Sequence, residues 1–164
     1  MLYKYWTCDN FVIKLMEPQI VTLDLTNSKL YHQRRYLFLN GGNKPNYHFA
    51  YFSKNRPYYG DNDDLNTYVY TVTTLIPQMI LLDNDFWPED LYQWVSCQIG
   101  QPIQKDAYIL NQHIIDLGYN GWFNIENNEY VISQNIINNH LKFSYQIIQN
   151  NQFPDQESHG HYYL

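Results

Sequence analysis

Residues 118–132 read G-Y-N-G-W-F-N-I-E-N-N-E-Y-V-I, and the fold turns on how they are read. A helical pattern stops at Gly118, an apolar run Gly121-Trp122-Phe123-Asn124-Ile125 follows, and Glu129-Tyr130-Val131-Ile132 resumes after Glu126-Asn127-Asn128. Two short apolar runs separated by asparagines predict a β-hairpin, because after glycine asparagine best tolerates the left-handed backbone of a tight connection. Strand alternation then puts Glu129 and Val131 on one face, and Tyr130 and Ile132 on the other. A carboxylate that opens a strand beside aromatic residues is a candidate catalytic acid, although a hairpin glutamate is more commonly a solvated end. If the hairpin register differs, Glu126 becomes the candidate acid instead.

Upstream of the hairpin the period is helical. Pro88 suits a first helical position, Glu89 and Asp90 suit the positive end of a helix, and Leu91, Trp94, Val95 and Ile99 recur at helical spacing. A second helix is predicted over 103–117, with Ala107, Leu110, Ile114 and Leu117 on one stripe and Gly118 as its stop. Before the helices the chain is rich in strand formers: 11–15, 20–25, 29–39, 47–53, 67–73 and 78–83, with Pro77 taken as a strand breaker. Residues 141–148 alternate as a last strand, and 151–164 read as a polar, flexible tail after a domain spanning 1–150. Strands on both sides of two helices predict a single α+β domain, not a doubly wound parallel sheet.

Composition narrows the chemistry. The chain has 164 residues, enough for one core, and its 10 Lys and Arg against 16 Asp and Glu leave a net charge of -6, which argues against a broad duplex nucleic-acid footprint. Abundant Asn, Gln, Tyr and Ile follow A/T-rich codons and say little about mechanism. Cys8 and Cys97 form no CxxC pair, no segment resembles a secretory signal, and no run approaches the length of a membrane span. The expectation is a soluble, intracellular protein without membrane contact. The acidic run Asp61-Asn62-Asp63-Asp64 lacks the spacing of a calcium loop, His48 and His113 lack paired ligands, and His159-Gly160-His161 sits in the tail, so no metal is expected. There is no G-x-S-x-G elbow, Walker A loop or G-x-G-x-x-G fingerprint.

Four segments, in order, resemble the ADP-ribosyltransferase superfamily, in its diphtheria-toxin and poly(ADP-ribose) polymerase branch and its viral members. Leu30-Tyr31-His32 is similar to the first-strand L-Y-H-G element, and Phe49-Ala50-Tyr51-Phe52-Ser53 with Tyr58 and Tyr59 is similar to the second. Tyr68-Val69-Tyr70-Thr71-Val72 with Ile80-Leu81-Leu82-Asp83 resembles a third pair, and Leu117-Gly118-Tyr119-Asn120-Gly121-Trp122 resembles the element just before the catalytic strand. The resemblance implies split antiparallel sheets, with NAD+ as substrate and a protein or nucleic acid as acceptor. It implies Glu129 as the catalytic carboxylate that orients the nicotinamide ribose and stabilises its developing positive charge. Tyr51, or Tyr58 and Tyr59, would stack on nicotinamide, and His32 would bond the adenosine ribose. Ser53 would stand where the arginine-modifying branch has its serine.

The departures are specific. Gln33 stands where the family has a glycine, Asn120 replaces an aspartate, and Asn127 replaces the Glu or Gln of arginine-directed enzymes, which disfavours arginine as the modified residue. A catalytically inactive transferase-like domain, or an unrelated α+β module that binds a protein partner, is the competing expectation. A 2′-phosphotransferase would require more basic residues than Arg34, Arg35 and Arg56 supply.

Overall fold

The structure, a computed structural model, describes residues 3–8, 11–34, 49–56, 66–149 and 159–163. In chain order the elements are β1 (Tyr3–Cys8), β2 (Phe11–Met16), β3 (Gln19–Leu23), β4 (Lys29–Arg34), β5 (Phe49–Lys54), β6 (Asn66–Val72) and β7 (Ile76–Leu81). Helices α1 (Pro88–Ile99) and α2 (Ala107–Asp116) follow, then β8 (Gly121–Asn124), β9 (Glu129–Ser133), α3 (Gln134–His140), β10 (Leu141–Gln149) and β11 (His159–Tyr163). The fold is mixed α+β. β1 and β2 pair as a separate hairpin, and the other nine strands form one sheet in the order β11-β10-β6-β4-β5-β9-β8-β7-β3.

Every pairing in that sheet is antiparallel except β7 with β8. A parallel neighbour cannot be reached by a tight turn, and the segment carrying α1 and α2 is the crossover that makes it possible. The sheet is narrowest at β4 and β5, which share only two register pairs, Leu30 with Lys54 and Tyr31 with Ser53.

Side-chain alternation divides the core between the two faces of the sheet. One face carries Phe49, Ile80, Trp122 and Val131 and packs against Leu91, Trp94 and Val95 of α1 and Leu110 and Ile114 of α2. The opposite face carries Leu30, Ala50, Phe52, Tyr70, Phe123, Tyr130 and Ile132, with Ile136 and Ile137 of α3 covering it.

Local chemistry explains the helix ends. At α1, Pro88 is in the first turn, Asp90 accepts the Trp87 backbone N–H at 2.9 Å, and Gly100 closes the helix at φ 75°. The second helix begins at Ala107 and not at 103, because Asp106 is its N-cap and accepts the Ile109 N–H at 3.0 Å. Gly118 takes φ 93° immediately after it. The expected pair of helices becomes three: Ser133 caps α3 through the Ile136 N–H, and the Asn-rich composition of that helix hides it from a propensity reading. Pro77 lies inside β7, and the ladder to β3 shifts register beside it at Gln78, which has φ 56°, so the proline sits at an irregularity where its missing donor does no harm. The segment His159–Tyr163, within the expected tail, pairs with β10 as an edge strand.

Gly121 is required where β8 meets β9. Its φ is 143°, and a Cβ added there would collide with the Val131 carbonyl group. Gly121→Ala is therefore expected to cost about 2–3 kcal/mol and to lower the melting temperature by roughly 5–10 °C, as measured by a thermal melt followed by circular dichroism.

Candidate functional site

On the face that carries α1 and α2, past the end of the helix-packed core, β4, β5 and β9 leave a cavity of about 570 Å³. Its walls include Tyr31 and Gln33 from β4, Tyr51 and Ser53 from β5, and Asn127, Asn128 and Glu129 from the hairpin. Register accounts for this grouping. Tyr31 is opposite Ser53, Tyr51 is opposite Val131, and alternation brings Glu129 to the same face as Val131.

The predicted hairpin forms, but β8 ends at Asn124 and not at Ile125: residues 125–128 make the turn to β9, Ile125 is exposed in it, and Asn124 is opposite Glu129. Asn128 adopts φ 52°, and its carboxamide is used twice across the sheet: Oδ1 accepts the Lys54 N–H at 2.9 Å and Nδ2 donates to the Lys54 carbonyl at 3.2 Å. The side chain thereby acts as an additional rung of the β5–β9 ladder and fixes the strand end where Glu129 begins. The Glu129 carboxyl is half-buried, and its pKa is raised by burial, with no cation or donor among the described residues offsetting the shift. Glu126 is exposed in the turn and accepts a bond from Asn84 at 3.3 Å, outside this cavity.

Tyr51 is held from behind by α2. Asn111, 3% exposed, accepts the Trp122 indole N–H at 2.8 Å and donates to the Tyr51 hydroxyl at 3.0 Å. The Tyr51 ring stands edge-on to Phe49 and Trp122, with centroids 5.8 and 6.1 Å away. Burial raises the Tyr51 pKa, the Asn111 amide pulls it back, and the nearby Glu129 charge raises it further. The result is a fixed aromatic wall, 36% exposed, beside a carboxylate. Ser53 donates its hydroxyl to the Arg56 carbonyl at 2.6 Å, which commits its proton to the bend after β5.

His32 faces the other way. It shares the face of Leu30 and Phe52, lies 5.5 Å from the Phe52 ring, and donates from Nδ1 to the Tyr51 carbonyl at 2.8 Å. Because a carbonyl only accepts, this bond sets the imidazole tautomer, and it spans the gap beyond the last β4–β5 register pair. Gln33 does line the cavity, with its amide bent toward Thr67 Oγ1 at 3.4 Å. Asn120 donates its side-chain amide to the Pro77 carbonyl at 2.7 Å, a bond that an aspartate could not make. Tyr58 and Tyr59 lie outside the described residues, as does the acidic run 61–64. Among the described residues no three His, Cys, Asp or Glu side chains group as metal ligands.

The structure thus brings Tyr51, Ser53 and Glu129 to one cavity and leaves His32 behind its wall. Sequence reasoning missed Asn111 and Asn128. A polar residue inside the Leu110–Ile114 apolar stripe was the signal available for the first. No helix among the described residues is long and apolar enough to cross a membrane. No protein-family model matches the chain, and no curated protein and no solved structure is significantly similar to it.

Two measurements probe this arrangement. A carboxyl whose folded pKa is raised holds its proton to higher pH than it does in the unfolded chain. Ionisation therefore opposes folding above the unfolded value of about 4.3 and contributes nothing well below it. Glu129→Gln should accordingly raise the melting temperature near pH 7, with the gain disappearing at about pH 3.5. Asn111→Leu strands the Trp122 indole N–H and should cost about 1–3 kcal/mol in a denaturant titration.

Proposed function

We propose that the chain is an NAD+-dependent transferase that moves ADP-ribose to a protein or nucleic-acid acceptor, with Glu129 as its catalytic carboxylate. The observation that carries this reading is the meeting of Tyr51, Ser53 and Glu129 in one cavity. They come from two segments nearly eighty positions apart: Tyr51 and Ser53 belong to a stretch that resembles the ADP-ribosyltransferase superfamily, and Glu129 opens the strand that follows another such stretch, 117–122.

The chemistry suits these residues. Breaking the nicotinamide–ribose bond sends the bonding pair to the nicotinamide nitrogen and leaves an electron-poor ribose C1′. Glu129 would accept a ribose hydroxyl proton in a hydrogen bond and stabilise the positive charge as it grows, and its half-buried setting strengthens that attraction relative to water. The fixed ring of Tyr51 provides an apolar face for a cationic nicotinamide ring. His32 would act as a positioning residue through the Tyr51 carbonyl, in place of the ribose contact implied by the resemblance.

A second reading, a transferase-like domain that does not turn over NAD+ and binds a protein partner, is favoured by two features. His32 does not face the cavity, and the described wall carries no Lys or Arg to meet a dinucleotide's phosphates.

Titration with NAD+ separates the two. Binding to the native state alone should raise the melting temperature progressively, and incubation with labelled NAD+ should release nicotinamide. Glu129→Gln should keep the thermal shift and lower turnover by about a hundredfold or more. No thermal shift at millimolar NAD+, or equal turnover by the variant, refutes the catalytic reading.

A further inference from the structure

A smaller cavity of about 220 Å³ adjoins the first, and the two share Asn127 and Glu129 as common walls. Its remaining walls come from the segment leading into α1, from β8 and from the hairpin turn, and include Asp83, Trp87, Trp122 and Glu126. Trp87 is 59% exposed, yet its indole N–H donates to the Asn84 carbonyl at 2.6 Å. The Asn84 amide in turn donates to Glu126 at 3.3 Å, tying this segment to the hairpin turn. A large aromatic face is thus held open to solvent across a slot from two glutamates.

The sign of the occupant follows from which groups are already satisfied. The start of α1 offers an anion few donors: Pro88 at its first position has no N–H, the Trp87 N–H is taken by Asp90, and the Asp85 and Phe86 N–H groups are taken by Asp83 at 2.8 and 2.9 Å. No Lys, Arg or His is among the described lining residues. What faces the slot is indole, carboxamide and carboxylate, a set that attracts a cation and repels phosphate.

We propose that this smaller cavity is a binding site for a basic side chain, lysine or arginine, laid against Trp87 with its charge toward Glu126 and Glu129. That this side chain belongs to the acceptor, which would then be a protein and not a nucleic acid, rests on the transferase reading. In that setting the shared Glu129 wall is where donor and acceptor meet. The basic residue is a recognition element, and the arrangement does not require it to be the residue modified.

The test titrates the full chain with N-acetyl-arginine methylamide, its neutral citrulline counterpart and a short oligothymidylate, following the tryptophan indole N–H signals by NMR. The Trp87→Ala variant identifies the Trp87 signal. The arginine probe should saturate and shift that signal, with the citrulline probe at least about tenfold weaker. Trp87→Ala and Glu126→Gln, both changes at exposed positions, should each weaken arginine binding by about fivefold or more with melting temperature nearly unchanged. Saturating NAD+ should leave the probe bound.

Absence of arginine binding, equal binding of the two small probes, indifference to both variants, or displacement by NAD+ or by the oligothymidylate overturns the site. Because the titration needs no turnover, a chain that binds arginine but never consumes NAD+ keeps this site and loses the transferase reading. Turnover without arginine binding does the reverse.

Discussion

The ladder between β4 and β5 stops after two register pairs, and beyond that point the His32 side chain bridges the two strands. His32 reaches across to the Tyr51 carbonyl on one side of β5. On the opposite edge of β5, toward β9, the Asn128 carboxamide takes both the N–H and the carbonyl of Lys54 and lengthens that neighbouring ladder. A backbone group left unpaired away from water is destabilising by an amount comparable to a lost hydrogen bond, so the His32 bond offsets part of what the short β4–β5 ladder leaves unmade. The larger cavity lies over this seam. Remove the seam, and Tyr31, Ser53 and Glu129 would sit on a continuous pleated surface.

The electrostatics of the site run against stability. Glu129 is half-buried without a compensating cation among the described residues, and its proton is held more tightly for that reason. Tyr51 is in turn pushed toward its neutral form by the same carboxylate. A chain selected for stability alone would place a neutral residue at position 129, and an acid perturbed by burial in a concave site is for that reason a candidate functional residue. The supporting groups are better satisfied. Asn111 spends both ends of its amide on Trp122 and Tyr51, so the aromatic wall is rigid while the acid beside it is not neutralised.

The two cavities divide chemically along the hairpin. The larger one is walled by tyrosines, Ser53 and carboxamides, the smaller one by indoles and carboxylates, and Glu129 belongs to both. One acid positioned between two compartments of different character is what a reaction joining two unlike substrates needs. In the proposed transferase reading it would stabilise charge on one side while the other side selects what approaches. The turn from 125 to 128 sets this division, since Asn127 contributes to both cavities and Glu126 reaches the Asn84 amide.

Where a structural decision rests on a few adjacent residues, the amino-acid sequence alone determined it. Pro88 with two acids starts α1, Gly118 ends the second helix, and Asn128 makes the left-handed turn residue of the hairpin, so the candidate acid is placed at the first position of β9. Asp106 marks the start of α2 by its capping side chain, and Ser133 marks that of α3 despite its asparagines. Other features required the folded chain. The adjacency of β4, β5 and β9, the parallel pairing of β7 with β8, the proline inside β7 and the face taken by His32 all depend on partners dozens of residues away. Strand alternation says which residues share a face, but only pairing says which face is buried, because a shift of one residue exchanges the two. That non-local register is what brought Glu129 beside Tyr51 and turned His32 behind them.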